Sequence, residues 1–184
     1  MKRLFDVISS IIGLLCLSPI FVVVAIIIVF ENYGPVFYKQ QRVGLNGCLF
    51  DMYKFRSMKI NADKIGPYFT SDNDPRITRV GKWIRRLSID ELPQLINVVF
   101  GHMSVVGPRP NVIQQKKLYT SDSWDKRNSV LPGITGLAQA TKRSEAQGSE
   151  RELLDLEYVD SYSFYLDMKI IIMTIKQIVS KGGN

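Results

Sequence analysis

Leu4-Phe-Asp-Val-Ile-Ser-Ser-Ile-Ile-Gly-Leu-Leu-Cys-Leu-Ser18-Pro19-Ile-Phe-Val-Val-Val-Ala-Ile-Ile-Ile-Val-Phe30 is an almost wholly apolar run, with Lys2 and Arg3 before it. A bilayer core takes about 20 apolar residues of helix to cross, so the run is long enough to span. It exceeds the ~7–15-residue apolar core of a secretory leader, and no small-x-small cleavage site precedes the first polar segment. Two features argue against a simple crossing. Ser18-Pro19 falls near the middle, where proline removes a backbone hydrogen bond and clashes with the preceding turn. The adjacent hydroxyl can satisfy the freed carbonyl, which is how such breaks persist in lipid. Basic residues also flank both ends, Lys2 and Arg3 before and Lys39 and Arg42 after. A straight span would place the basic remainder outside, against the preference of Lys and Arg for the cytoplasmic side. The expectation is therefore a re-entrant helix–break–helix over residues 1–30, entering and leaving by one leaflet, and a membrane-associated domain over residues 31–184.

The 184 residues suffice for one globular domain beyond this segment, with a core of its own. A formal net charge of +7 and a pI near 9.4 point to an anionic partner: nucleic acid, a phospholipid surface or a phosphorylated small molecule. Cys16 lies in the apolar run and Cys48 in an expected turn, so no disulfide is expected. His102 alone cannot make a His-based metal site, and its Gly-flanked position suits packing or hydrogen bonding.

After the membrane segment, Phe37–Val43 and Cys48–Arg56 flank Leu45-Asn46-Gly47, and Asn-Gly is a strong hairpin turn signal. Alternation in the second strand would put Lys54 and Arg56 on one face, with Tyr53 and Phe55 on the other. Residues 61–76, polar and carrying Asp63, Asp72 and Asp74, read as a loop. Val80, Ile84 and Leu87 predict a short basic helix, and Leu92, Leu95, Ile96, Val99 and Phe100 a second one ending at Gly101. Ser88-x-x-Glu91 matches a capping box, but Pro93 disfavours a start at Ser88, so a start near Asp90 is preferred. Leu118–Val130 and Glu150–Tyr162 are further helical stretches, and Pro132-Gly-Ile-Thr-Gly136 is an expected turn with two positions free to take positive φ. Phe164–Val179 sets Met168, Ile171, Ile172, Ile175 and Ile178 against Lys169 and Lys176, an amphipathic helix suited to the bilayer surface. The fold class is α+β: a membrane helix, a β-hairpin and a mostly helical domain with interfacial helices.

Chemistry is concentrated in Ser88-Ile-Asp90-Glu91-Leu-Pro93-Gln94-Leu-Ile-Asn97, directly after the cationic Lys82, Arg85 and Arg86. Two adjacent acids in a basic setting suit work on an anion, one attacking while the other holds a metal or places a proton. A diphosphate would be repelled by both carboxylates, a conflict that a divalent cation, Mg²⁺ by preference, removes by bridging carboxylate and phosphate oxygens. Carboxylate attack on phosphorus is established covalent chemistry. Lys54, Arg56, Arg85 and Arg109 are candidates to neutralise phosphoryl oxygens. Arg109, between Pro108 and Pro110, is presented in one direction, as bidentate phosphate binding requires. The alternative is plain: Asp-Glu opening a helix is also ordinary capping, and an arginine in a loop is common. A nucleic-acid binder needs a basic stripe with interleaved aromatics. Here the charge is dispersed and the acid pair would weaken such a groove, so no nucleic acid is expected. A membrane-anchored assembly partner without chemistry is the third class.

Taken together, Lys2-Arg-Leu-Phe-Asp6, Ser18-Pro19, Gln41-Arg-Val-Gly44, Lys54-Phe-Arg-Ser-Met58, Arg85-x-x-Ser-Ile-Asp-Glu-Leu-Pro-Gln94, Met103-Ser-Val-Val-Gly-Pro-Arg-Pro110 and Pro132-Gly-Ile-Thr-Gly136 run nearly end to end in one order. In this the chain resembles the monotopic polyprenyl-phosphate phosphoglycosyl transferases, the bacterial sugar transferase family, in a minimal form. The resemblance implies a re-entrant helix at the cytoplasmic face of the inner membrane, among its phospholipids, and a ping-pong reaction. Asp90 would take the phosphosugar from a UDP-sugar, releasing UMP, and undecaprenyl phosphate would then accept it. By the same resemblance Glu91 is the dyad partner that binds Mg²⁺, Arg109 binds phosphate, and Lys54, Arg85 and Asp155 lie near the active site; a homo-oligomer is left open. His102 departs from the Asp often found at its position, and Lys142–Ser149 falls where the family varies and the sugar would be read.

Overall fold

The structure is a computed structural model and describes residues 1–66, 74–142 and 148–181. Part of the expected 61–76 loop and most of Lys142–Ser149 lie outside the described residues. The apolar run forms a helix, α1 (Lys2–Asn32), uninterrupted through Pro19. The expected break into two half-helices is thus not seen as separate elements, for a local reason. Pro19 has no N–H to give the Leu15 carbonyl, and the Ser18 hydroxyl donates to that same carbonyl at 2.8 Å. The side chain replaces the missing bond, and the helix carries on.

One stripe of α1 faces the rest of the protein: Asp6, Ser10, Val24 and Ile28 are buried, at helical spacing, while Leu4, Leu15, Val22, Val23 and Phe30 are exposed. Both ends of α1 are tied to the same body. Near the start, Ser104 Oγ and the Val105 N–H donate to the Asp6 carboxylate at 2.8 and 3.1 Å, and Lys2 pairs with Asp167 at 2.6 Å. Near the end, the Glu31 carboxylate accepts from the N–H groups of Arg79 and Val80 at 2.9 and 3.2 Å. An acid at the orphan amides of a helix start is well placed electrostatically.

Strands β1 (Phe37–Val43) and β2 (Leu49–Phe55) form the expected antiparallel hairpin, Val43 opposite Leu49 and Phe37 opposite Phe55. Asn46 and Gly47 in its turn take left-handed φ of 52° and 80°, which is why Asn-Gly suits the position. The two faces of β2 pack in different directions. Phe50 and Met52 pack on Val98 and Met103, whereas Phe55 packs with Val24, Ile28 and Ile84 beneath the membrane helix. A short α2 (Ala62–Ile65) begins the segment read as loop. The basic helix is α3 (Arg79–Arg86), capped by the Thr78 hydroxyl.

The acid pair sits not on an α-helix but on a 3-10 turn, Ile89–Glu91, and α4 (Gln94–Val99) begins after Pro93. The capping box does not form, because Ser88 is left-handed (φ 55°) and its side chain caps nothing. Proline dictates this, since a helix through Ser88 would require an N–H that Pro93 lacks. Gly101 closes α4 at φ 88°.

Beyond it lie β3 (Ser104–Val106), a 3-10 stretch (Ile113–Leu118), α5 (Ser121–Arg127), β4 (Gly133–Thr135), α6 (Leu137–Lys142), α7 (Gly148–Ser161) and α8 (Phe164–Lys181). The Pro132–Gly136 segment, expected as a turn, is instead mostly a strand parallel to β3, and neither of its glycines has positive φ. They are needed for closeness. A Cβ at Gly133 would collide with the Gly107 nitrogen, and one at Gly136 with the Gly107 oxygen. α8 buries Ile170 against Val106, Ala140 and Tyr158 and leaves Ile172 and Ile175 outward. Together with Trp83, Leu87 and Phe100, exposed on and beside α3 and α4, these give the body an apolar surface beyond that of α1. His102 stacks on Phe50, a packing role as expected, and both cysteines are free.

Gly133→Ala should therefore cost about 3 kcal/mol, because the new methyl meets backbone that cannot give way. Gly148→Ala, with nothing within 4 Å among the described residues, should stay within about 0.5 kcal/mol. Thermal midpoints in detergent would show the contrast, and equal midpoints would contradict the packing account.

Candidate active site

Four segments far apart in sequence deliver the site: β2 brings Lys54, the end of α3 brings Arg85, the 3-10 turn brings Asp90 and Glu91, and the Pro-Arg-Pro stretch brings Arg109. Asn97 sets the spacing of the first and third. Its carboxamide accepts from the Tyr53 N–H at 2.9 Å and donates to the Asp51 carbonyl at 2.7 Å. It thereby acts like a further strand on the open edge of β2 and locks α4, with the preceding acid turn, against Lys54.

Glu91 is the hub. Arg109 grips it with a fork, Nη2 to Oε1 at 2.5 Å and Nη1 to Oε2 at 3.2 Å, and Lys54 Nζ donates to Oε1 at 2.7 Å. Burial alone would raise the Glu91 carboxyl pKa, but Arg109 and Lys54 outweigh it and hold the group well below the usual carboxylate range. Burial lowers the Lys54 pKa, and the neighbouring Glu91 only partly offsets this. The Glu91 charge in turn raises Arg109.

Asp90 is the contrast. It is buried to 7 % exposure, and among the described residues its carboxylate makes no hydrogen bond or ion pair. Burial pushes its pKa up to about 6, with Glu91 adding to the rise and Lys54, Arg85 and Arg109 opposing it. Two adjacent acids thus have opposite fates: one is neutralised and fixed, the other ungripped and energetically costly as an anion. Asp90 faces a cavity of about 390 Å³ that is also lined by Lys54, Arg56, Arg85, Glu91 and Arg109. A second, mainly apolar cavity of about 300 Å³ lies on the other side of Glu91 and Arg109, between α4 and α8.

Lys54, Arg56, Arg85, Arg109, Asp90 and Glu91 are accordingly brought together. Asp155 is not among them. It sits at 1 % exposure in an ion pair with Arg127, 2.9 Å from Oδ2 to Nε, and Arg127 donates in turn to the Arg109 carbonyl at 2.5 Å. Asp155 therefore positions the backbone of the Pro-Arg-Pro stretch through Arg127 and lines neither cavity. Nothing local to the α5 stretch marks Arg127 in the sequence. Arg42, bonded to the Pro110 carbonyl at 2.9 Å, holds the stretch from the other side. Asn97 lies within the decisive motif, but its role depends on a strand some 40 residues earlier.

Metal binding fits one acid better than the other. Both oxygens of Glu91, the acid expected to hold Mg²⁺, accept from Arg109 or Lys54, whereas among the described residues the Asp90 oxygens carry no partner. One carboxylate suits Mg²⁺, which commonly keeps water and substrate phosphates as its remaining ligands. Among the described residues no group of three or more Asp, Glu, His or Cys forms an all-protein cage.

If Asp155 is a positioning group inside a closed ion pair, Asp155→Ala should cost about 3–5 kcal/mol, because it leaves Arg127 buried and unpaired. Asp90→Asn should leave the thermal midpoint unchanged or raise it, since it removes a desolvated, unpartnered charge. Calorimetry of both variants in one detergent checks the pair, and a marked loss of stability in Asp90→Asn would contradict the geometry.

The sequence matches the bacterial sugar transferase family model over residues 1–181. It is 46 % identical to an undecaprenyl-phosphate glucose phosphotransferase of Komagataeibacter xylinus across 96 % of this chain and 35 % of that protein. It is 42 % identical to the uncharacterized sugar transferase EpsL of Bacillus subtilis, across 100 % of this chain and 89 % of that one. It is 40 % identical to a UDP-glucose:undecaprenyl-phosphate glucose-1-phosphate transferase of Escherichia coli, across 100 % and 41 %. The chain thus spans about a third to two fifths of the first and last of these and nearly all of the second. The uninterrupted match over helix, hairpin, acid pair and Pro-Arg-Pro arm places this chain in the bacterial sugar transferase family.

Proposed function

We propose that this protein transfers a phosphosugar from a UDP-sugar to undecaprenyl phosphate at the cytoplasmic face of the inner membrane, as an opening step of polysaccharide assembly. The observation that carries the reading is Asp90: a buried carboxylate that nothing in the described protein grips, facing a cavity lined with Lys54, Arg85 and Arg109. The names of the Komagataeibacter and Escherichia relatives supply the two substrate classes.

In the first half-reaction an Asp90 oxygen attacks the phosphorus that bears the sugar. A carboxyl–phosphorus bond forms, the diphosphate bridge breaks, and UMP departs with the electron pair. Asp90 is suited to this because it is ungripped, and a pKa near 6 leaves it largely ionised at neutral pH. Glu91 has a separate role. By holding Arg109 and Lys54 in place it presents two preorganised cations where phosphoryl charge develops. In the second half-reaction an oxygen of the lipid phosphate attacks the same phosphorus, the carboxyl–phosphorus bond breaks, and Asp90 is regenerated as carboxylate. Charge balances in both steps without a proton. Mg²⁺ held by Asp90 and substrate phosphates would supply further charge neutralisation.

A monotopic placement is supported by the two ends of α1. A helix of 31 residues is roughly 46 Å long, yet Lys2 and Asp6 at one end and Glu31 at the other bind the same body. The middle of α1 around Ser18, Pro19 and Ile20 is exposed, as a segment dipping into lipid would be.

Incubation with sugar-labelled donor and no lipid acceptor should leave label on the protein, mapped to Asp90 by peptide mass. Asp90→Asn should lose the label while keeping its fold, and chelation should suppress labelling until Mg²⁺ is returned. A wild-type protein that releases UMP without ever carrying the phosphosugar would sink the covalent reading. Topology has its own test: single cysteines at positions 4 and 33, in a background without the native pair, should react with an impermeant reagent from the same face. Reaction from opposite faces would establish a spanning helix instead.

A further inference from the structure

Arg56 has a use that Lys54 and Arg109 do not. It is 6 % exposed, it lines the same cavity as Asp90, and among the described residues none of its three guanidinium nitrogens has a hydrogen-bond partner. A buried cation with five N–H donors and no acceptor is among the costlier arrangements a fold can keep. Lys54 and Arg109 are spent on Glu91, whereas Arg56 borders the cavity with its whole hydrogen-bonding capacity unused. The chain makes room for it: a Cβ on Gly34 would collide with Arg56 Nη1, so a side chain there would push the guanidinium aside. Gly34 closely follows the end of α1, so this guanidinium lies where the chain leaves the membrane helix.

Resting on the function proposed above, we infer that Arg56 forms a single phosphate-monoester subsite used twice per turnover, first by the phosphate of departing UMP and then by the phosphate of the incoming lipid. Displacement at phosphorus is in line. The group leaving in the first half-reaction departs on the side opposite Asp90. In the second, Asp90 is the leaving group, so the attacking oxygen must enter from that same side. Product of one half and substrate of the other are both phosphate monoesters, and they need the same place. An unpaired fork of donors suits such a dianion, and its position near the exit of α1 puts it within reach of a phosphate borne by a membrane lipid.

The test uses the full-length protein in detergent with UMP and farnesyl phosphate, a short prenyl phosphate. The two ligands should compete for the unmodified enzyme, each weakening the other in proportion to its concentration. Arg56→Met should weaken both at least about tenfold, as loss of a charge-assisted fork implies, slow both half-reactions, and raise the thermal midpoint, because an unpaired buried charge is gone. Arg56→Lys, which keeps the charge without the fork, should fall between and serves if the methionine variant fails to fold. Independent binding of the two ligands would overturn the shared subsite, as would an Arg56→Met protein that loses only one of them or neither. If donor alone never labels the wild-type protein, the fault lies in the covalent mechanism. If labelling occurs and Arg56→Met binds both monoesters normally, only this inference fails.

Discussion

The carboxylate of Glu91 is the joint on which the site turns. One partly buried acid accepts from a strand lysine and an arm arginine at once, so β2, the acid turn and the Pro-Arg-Pro stretch meet at one point. Without Glu91, Lys54 and Arg109 would be like charges forced together at low dielectric, each lowering the other's stability as a cation. With it, they become donors fixed in place by one shared carboxylate. The same joint bears on the neighbouring acid: Lys54 and Arg109 are already engaged by Glu91, and Asp90 feels them, like Arg85, only at a distance. The contrast between the two acids is therefore rooted in the neutralisation of residue 91.

The joint is braced from behind by groups that never reach the Asp90 carboxylate. Asp155 holds Arg127, and Arg127 holds the Arg109 carbonyl. Arg42 holds the Pro110 carbonyl. The flanking prolines have no N–H to anchor, so the carbonyls are the handles by which this stretch is fixed. On the opposite side Asn97 zips the acid turn to β2. The membrane helix contributes as well, because Asp6 binds β3, which leads into the Pro-Arg-Pro arm, and Glu31 caps α3, which leads into the acid turn. The apolar helix and the candidate site are thus mechanically linked, since α1 anchors the starting points of both arms.

Much of the organisation is legible one segment at a time. The hairpin follows from Asn46-Gly47 between alternating strands, because the turn demands left-handed φ from residues able to give it. The late start of α4 follows from Pro93 overriding the Ser88–Glu91 capping pattern. The relief of Pro19 by Ser18 is readable from two adjacent letters. Where sequence and structure part, a contact between distant segments decides the matter. Gly133 and Gly136 look free to adopt positive φ, whereas they serve the close approach of β4 to Gly107, a residue some 26 positions earlier. Asp155 looks like a neighbour of substrate, but its partner is an arginine at no local sequence spacing. Glu91 reads in order as one of two equivalent adjacent acids, yet its oxygens are committed to two cations that the linear order keeps 37 and 18 residues away.

The chain by itself determined which chemistry was present: an apolar segment with a relieved proline, a hairpin, an adjacent pair of acids, and an arginine fixed between prolines. Such features depend on local backbone sterics and on residue type, and both can be read in order. Tertiary structure alone decided the division of labour, with one acid silenced by two cations and, among the described residues, its neighbour left bare and one buried guanidinium without a partner. Those differences come from desolvation and Coulomb interactions, which depend on separation in space and not on separation along the chain.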